Sequence, residues 1–195
     1  MKYAALSRRP RVVMFALLVL TSVQMAGAQD GPNIFPPVSL VISYFGETVT
    51  HPGLTIGIEY AIVDKGWYRL AFSAQVGGYY HRRNHVGAFV DAGLVNRFTS
   101  SFGLFGDAAL GVGYLHTWVD GATYSRQTDG NVGRVAGYGL PHLKVTGDFR
   151  AGYDLSGFSG FPGGVFMGLS IFGEYPFNGF FLPHAALQTG LLLKL

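Results

Sequence analysis

The 195-residue chain carries 14 Lys and Arg, 11 Asp and Glu, six His and no Cys, which excludes both a disulfide scaffold and a cysteine-anchored lipoprotein. Charged residues make up 13% of the chain and aromatic ones 15%, and its 29 glycines are about twice the ordinary share, a composition too poor in charge for a well-solvated surface. Four of the basic residues, Lys2, Arg8, Arg9 and Arg11, precede every acidic one; without them ten bases face eleven acids, so nucleic-acid binding loses its electrostatic support.

The first predicted element is a signal peptide over 1–28. A basic start, an apolar run over 12–20 and the small-residue stretch Ala26-Gly27-Ala28 match its three regions, with cleavage after Ala28. The apolar run is too short to cross a bilayer as a helix, which takes about 20 residues. An extended, Pro-rich periplasmic lead-in (29–37) follows, and residues 38–195 form one domain.

Within that domain eight segments alternate apolar and polar residues with a period of two, the mark of strands with unlike faces. They fall at 38–46, 53–63, 67–81, 85–98, 102–118, 142–154, 165–175 and 184–195, separated by Gly, Pro, Asn and Asp clusters. One face carries Ile56, Ile58, Val90, Leu94, Leu143, Val145, Phe149, Leu187 and Leu191. The other carries Glu59, Arg69, Asp91, Arg97, Asp107, Lys144, Asp148, Arg150, Asp154, Glu174 and Lys194, diluted with small residues and a few Phe.

Three features turn the apolar face outward into lipid. The polar face is too sparse in charge to be a solvated surface, and the strands match the roughly 9 to 11 residues of a tilted bilayer crossing, beyond the usual 5 to 6. Aromatic residues also gather near strand ends: Tyr44, Tyr80, Tyr114, Trp118 and Tyr175 toward one rim, and Tyr60, Tyr68, Phe98, Phe102 and Tyr153 toward the other. The expected fold is therefore all-β, an eight-stranded antiparallel up-and-down transmembrane β-barrel. In architecture (export signal, alternation, aromatic girdles, strand count) the chain resembles the small eight-stranded outer-membrane β-barrel proteins of Gram-negative-type bacteria. That resemblance implies residence in the cell outer membrane, contact with its lipid and lipopolysaccharide, delivery by the outer-membrane assembly machinery and a monomeric state. Such barrels usually close on an aromatic residue, whereas this chain ends "TGLLLKL" at Leu195.

An eight-stranded lumen is just wide enough to be filled by side chains, which excludes an open porin-like channel. The expected fill is Phe45, Phe89, Phe105, Phe166 and Phe172 with the charged residues above, whose acids and bases pair almost one to one as a structural network. A proton or ion pathway along those charges is the alternative. All six His are expected at the outer rim, where His81, His85, His142 and His184 point toward the axis and could hold a divalent transition metal, while His116 faces outward and His51 lies in a loop. A plain interfacial role for imidazole competes with that reading.

Two outer connections stand out: a polar, Gly-rich loop over 119–141 and the apolar "PFNGFFLP" at 176–183, expected to lie on the outer leaflet or to grip a surface ligand. No catalytic residue is assigned, since the chain has neither a G-x-S-x-G elbow nor the His-x-Ser-Asn pattern of lipid A deacylases. The leading expectation is a non-enzymatic barrel serving envelope structure or surface-ligand binding. A lipid-modifying enzyme at the rim and a narrow conduit for a small hydrophobic molecule are the alternatives.

Overall fold

The computed structural model describes residues 37–82, 84–126, 130–135, 137, 139–177 and 179–195. The expected signal peptide, and the lead-in up to residue 36, lie outside these residues.

Ten strands form. Eight of them, β1 (Val38–Glu47), β2 (Gly53–Asp64), β3 (Tyr68–His81), β4 (His85–Thr99), β5 (Leu104–Val119), β8 (Leu140–Asp154), β9 (Gly163–Phe177) and β10 (Phe180–Lys194), close a barrel in which every neighbour is antiparallel. The ladder closes on itself at the seam where β1 pairs β10 from Ser39–Lys194 to Glu47–Ala186, with register shifts between Ala61 and Val63 and between Phe180 and Leu182, so the sheet has no free edge. The remaining two, β6 (Thr123–Arg126) and β7 (Val132–Val135), make a separate ribbon inside the long connection between β5 and β8. That connection marks the loop rim of the barrel; the opposite end is the turn rim, closed by residues 65–67, 100–103 and 155–162, the last of which include the one-turn helix α1 (Ser156–Ser159).

Two expected loops are corrected. The 119–141 segment holds the ribbon, and β8 starts at Leu140. Residues 176–183 are mostly strand, because β9 and β10 run to Phe177 and Phe180 and reverse around Gly179, whose φ of 83° suits glycine. The sequence Asn178-Gly179 is the short-hairpin signal that the flanking prolines obscured.

Alternation places one apolar side chain in two against the surroundings. Ile58, Val90, Val112 and Phe149 are 50%, 49%, 57% and 56% exposed, part of a belt that encircles the barrel and far exceeds the apolar patches of water-soluble monomers. Tyr44, Tyr80, Tyr114, Trp118 and Tyr175 edge it toward the loop rim, and Tyr60, Phe98, Phe102 and Tyr153 toward the turn rim, all exposed. Tyr68 departs from the expected girdle: it is buried beneath Trp67 and Phe98 and donates its hydroxyl to Asn96 (2.9 Å).

The lumen is filled in two apolar layers. Phe45, Tyr79, Phe89, Leu115, Phe172 and Ala186 pack toward the loop rim, and Val41, Phe105, Phe166 and Leu192 toward the turn rim. Missing side chains make room for this fill. A Cβ at Gly77 would run into the Phe89 ring, and one at Gly113 would overlap the carboxylate of Asp91, its partner across β4 and β5.

Candidate functional site: the charged lumen and the histidine rim

On the turn side, β2, β4, β5 and β8 bring four buried charges into one ring. Arg97 grips Asp107 with two parallel bonds, Nε to Oδ1 and Nη2 to Oδ2, both 2.8 Å, and its Nη2 also reaches Glu59 (3.0 Å). Arg150 Nη2 completes the ring with Glu59 at 2.7 Å and Asp107 at 2.8 Å. Each guanidinium also lies over a ring of the lower apolar layer, Arg97 over Phe105 (4.8 Å) and Arg150 over Phe166 (5.1 Å). Two acids and two bases thus neutralise one another where neither water nor lipid can, the condition for keeping charge inside a low-dielectric space.

Nearer the loop rim, Lys144 is fully buried and pairs with Asp91, which also accepts from Gln75 (3.2 Å). The Lys144 ammonium sits 3.8 Å from the Phe89 ring centre and 5.0 Å from that of Phe172, so the upper aromatic layer serves as its second partner. The other expected network members form small separate groups. Lys194 donates to Asp154 (2.5 Å) at the turn rim, Arg69 Nε lies 3.6 Å from Asp64, Gln188 lies 3.4 Å from Asp148, and Glu174 lies 3.9 Å from His184. The eleven residues thus divide into local clusters, and Asp64, the last residue of β2, joins them through Arg69.

The histidines occupy separate surroundings. His142 is buried, with Nδ1 donating to the Pro176 carbonyl (2.8 Å) and Nε2 against Thr117 (3.0 Å), so both ring nitrogens are engaged. His184 stacks on Phe172 (4.8 Å, 6°) and donates Nδ1 to Glu47 (3.0 Å). His85 lies 3.3 Å from the Tyr79 hydroxyl, and His116 faces outward against Tyr114 and Trp118, as its parity predicts. His81, His85, His142 and His184 therefore do not converge as four ligands, because strand parity fixes the face a side chain takes but not its neighbours on other strands.

What the structure assembles instead is Glu47, His51 and His81, whose ligand atoms all lie within 4.8 Å of one another. Glu47 ends β1 and is 3% exposed. Its Oε2 faces His51 Nδ1 at 2.7 Å and accepts from Thr48 (3.1 Å), while its Oε1 takes the proton of His184. The His51 ring stacks on His81 at 3.5 Å and 27°. Glu47 and His51 meet because the chain reverses over three residues: their backbones exchange two bonds of 3.0 Å, with Thr48 and Val49 held at φ 43° and 68°. Neither Glu47 nor His51 was legible as a ligand from alternation; the signal that finds them is a three-residue hairpin loop, which sets residues i and i+4 face to face.

No family model matches the chain, and no curated protein matches it. Among solved structures it is similar to the crystal structure of Neisserial surface protein A, at 11% identity and a TM-score of 0.56 over 81% of this chain and 96% of that one. Weaker likenesses reach the N-terminal β-barrel domain of Pseudomonas aeruginosa OprF (15%, TM-score 0.44, 82% and 99% covered) and the outer membrane enzyme PagL (10%, 0.47, 80% and 99%). At these identities the likeness is one of fold. The chain is an eight-stranded barrel of the outer-membrane type, and its apolar belt sits against membrane lipid.

Proposed function

We propose that the mature protein, beginning after Ala28, is a non-enzymatic outer-membrane barrel with a plugged lumen, serving envelope structure and surface-ligand binding through its loop rim. The observation that carries this reading is the cross-section: the Arg97–Asp107–Arg150–Glu59 ring and the Lys144-centred aromatic layer fill it at two levels. The void beside Glu59 and Gln75, about 30 Å³, and the one toward the turn rim beside Arg69 and Lys194, about 20 Å³, have room for a water and not for a solute. Continuous pairing at every seam supports a monomer and leaves no gap through which an apolar molecule would slip sideways into lipid. Beyond the belt, Phe180 and Phe181 at the β9–β10 hairpin and Tyr124 and Val132 on the ribbon expose apolar surface that suits lipopolysaccharide or a surface ligand.

Planar-bilayer recordings of the refolded chain test the plug. Silence at either polarity is expected, and discrete conductance steps contradict it. Mass spectrometry of lipid A from cells with and without the gene tests the non-enzymatic part: identical acyl chains are expected, and a lost or added chain turns the reading into a rim enzyme.

A further inference from the structure

We propose that Glu47, His51 and His81 form a binding site for one divalent transition metal of the zinc class at the loop rim. Two imidazoles and a carboxylate, with no thiolate, suit zinc and its borderline neighbours, and a fourth position open to solvent leaves room for water.

The site is built before any metal arrives. Glu47 is buried and oriented from behind: His184 holds Oε1 at 3.0 Å and is itself fixed by its stack on Phe172, the kind of outer contact that aims a ligating carboxylate. His51 is delivered by a turn that puts two β-branched residues in the left-handed region, Val49 at φ 68° among them, where Asn-Gly would form a hairpin without such strain. Backbone bonds from Thr48 to Ala185 (2.8 Å) and between Glu47 and His51 hold that conformation. His81 comes from the neighbouring β3 and lays its ring on His51.

Distances also fit. Zinc takes His nitrogen and carboxylate oxygen at about 2.0–2.2 Å in a tetrahedron, which sets neighbouring donors roughly 3.3 Å apart. His51 Nδ1 and Glu47 Oε2 lie 2.7 Å apart, a separation that fits a proton, and the three donors spread to within 4.8 Å. Entry of the ion therefore requires small rotations of His51 and His81, both only part-buried, and replaces the shared proton, which leaves to solvent. The bound ion ties the β1–β2 turn to the end of β3.

The test uses the untagged mature chain folded in detergent, titrated with zinc alone by calorimetry and by competition with a chromophoric chelator. One zinc per barrel is expected. His51→Ala and His81→Ala are each expected to weaken binding by at least about tenfold, while His116→Ala, on the outer face, leaves it unchanged. Cobalt in place of zinc should give the intense visible absorption of a tetrahedral site, lost in the same two variants. Heat-modifiable gel mobility shows that each variant is folded, and His81→Gln stands in where His81→Ala is not. Absence of stoichiometric binding, binding that survives either substitution in a folded barrel, or an equal loss on His116→Ala overturns the site.

Discussion

The turn-side half of the lumen and the loop rim hold similar side chains under opposite rules. Around Glu59 each carboxylate oxygen meets a guanidinium and each guanidinium covers an aromatic ring, so every acid of the cluster is paired and Arg150 Nε is left without a hydrogen-bond partner. At the rim Glu47 collects three hydrogen-bond donors, His184 Nε2 and Glu174 Oε2 have no hydrogen-bond partner, and two imidazoles stack face to face. The difference teaches that charge inside this barrel has two uses. Closed pairing deep in the lumen fills space and fixes register, and incomplete pairing where solvent begins leaves donors for something that arrives from outside.

The sharpest way to break that contrast is Glu59→Ala. It leaves two buried guanidinium groups, Arg97 and Arg150, sharing the single carboxylate of Asp107, and should cost about 3–5 kcal/mol, read from urea unfolding in lipid vesicles. A cost under about 1 kcal/mol would show that the ring is ornamental. Next in size, Lys144→Met leaves buried Asp91 without its cation and should cost about 3 kcal/mol, of which adding Asp91→Asn should restore most, because the double variant removes the stranded charge. An additive double variant would deny that the two act as a pair.

Rim substitutions should be milder until metal is present. Glu47→Gln should cost about 1 kcal/mol in metal-free protein, the scale of a single hydrogen bond, since the amide keeps one acceptor. Zinc at about 100 times its dissociation constant should then add about 2.7 kcal/mol to the parent barrel and much less to the variant. The smallest effect is on pH. Glu47, His51, His81, His85, His184 and Glu174 all face this rim region, and imidazole must be neutral to ligate. Acidification from about pH 7.5 to about 5.5 should weaken zinc binding, because protons compete with the metal for the imidazole and carboxylate donors. An unchanged affinity at pH 5.5 would remove histidine from the site.

The barrel itself was legible because each strand has one face in lipid and one in the lumen, so Val90 and Asp91 differ by one position and by everything around them. Alternation also marked Phe45, Phe89 and Phe172 as fill, since a large ring on the polar parity has no other place to go. It missed Tyr79 and Leu115, which join the same layer, and the β6–β7 ribbon, a two-stranded sheet separate from the barrel. The rim was least legible. His142 takes the inward face, as its parity predicts, yet meets the Pro176 carbonyl, because stagger between strands decides which side chains share a depth. His51 sits in a turn, where position comes from φ and ψ at Thr48 and Val49 and alternation says nothing.

Orientation is the claim on which the rest depends, and the absence of native cysteine makes it directly measurable. Single Cys residues placed in turn from Val86 to Leu94 on β4, each carrying a nitroxide in lipid vesicles, report collision with lipid-dissolved oxygen and with a water-soluble nickel chelate. Oxygen access should rise at Val86, Ala88, Val90, Ala92 and Leu94 and fall at Gly87, Phe89, Asp91 and Gly93, a two-residue oscillation with the nickel reagent excluded from the even positions. The opposite phase, or no oscillation, would contradict an apolar exterior in lipid around a sealed and charge-paired lumen.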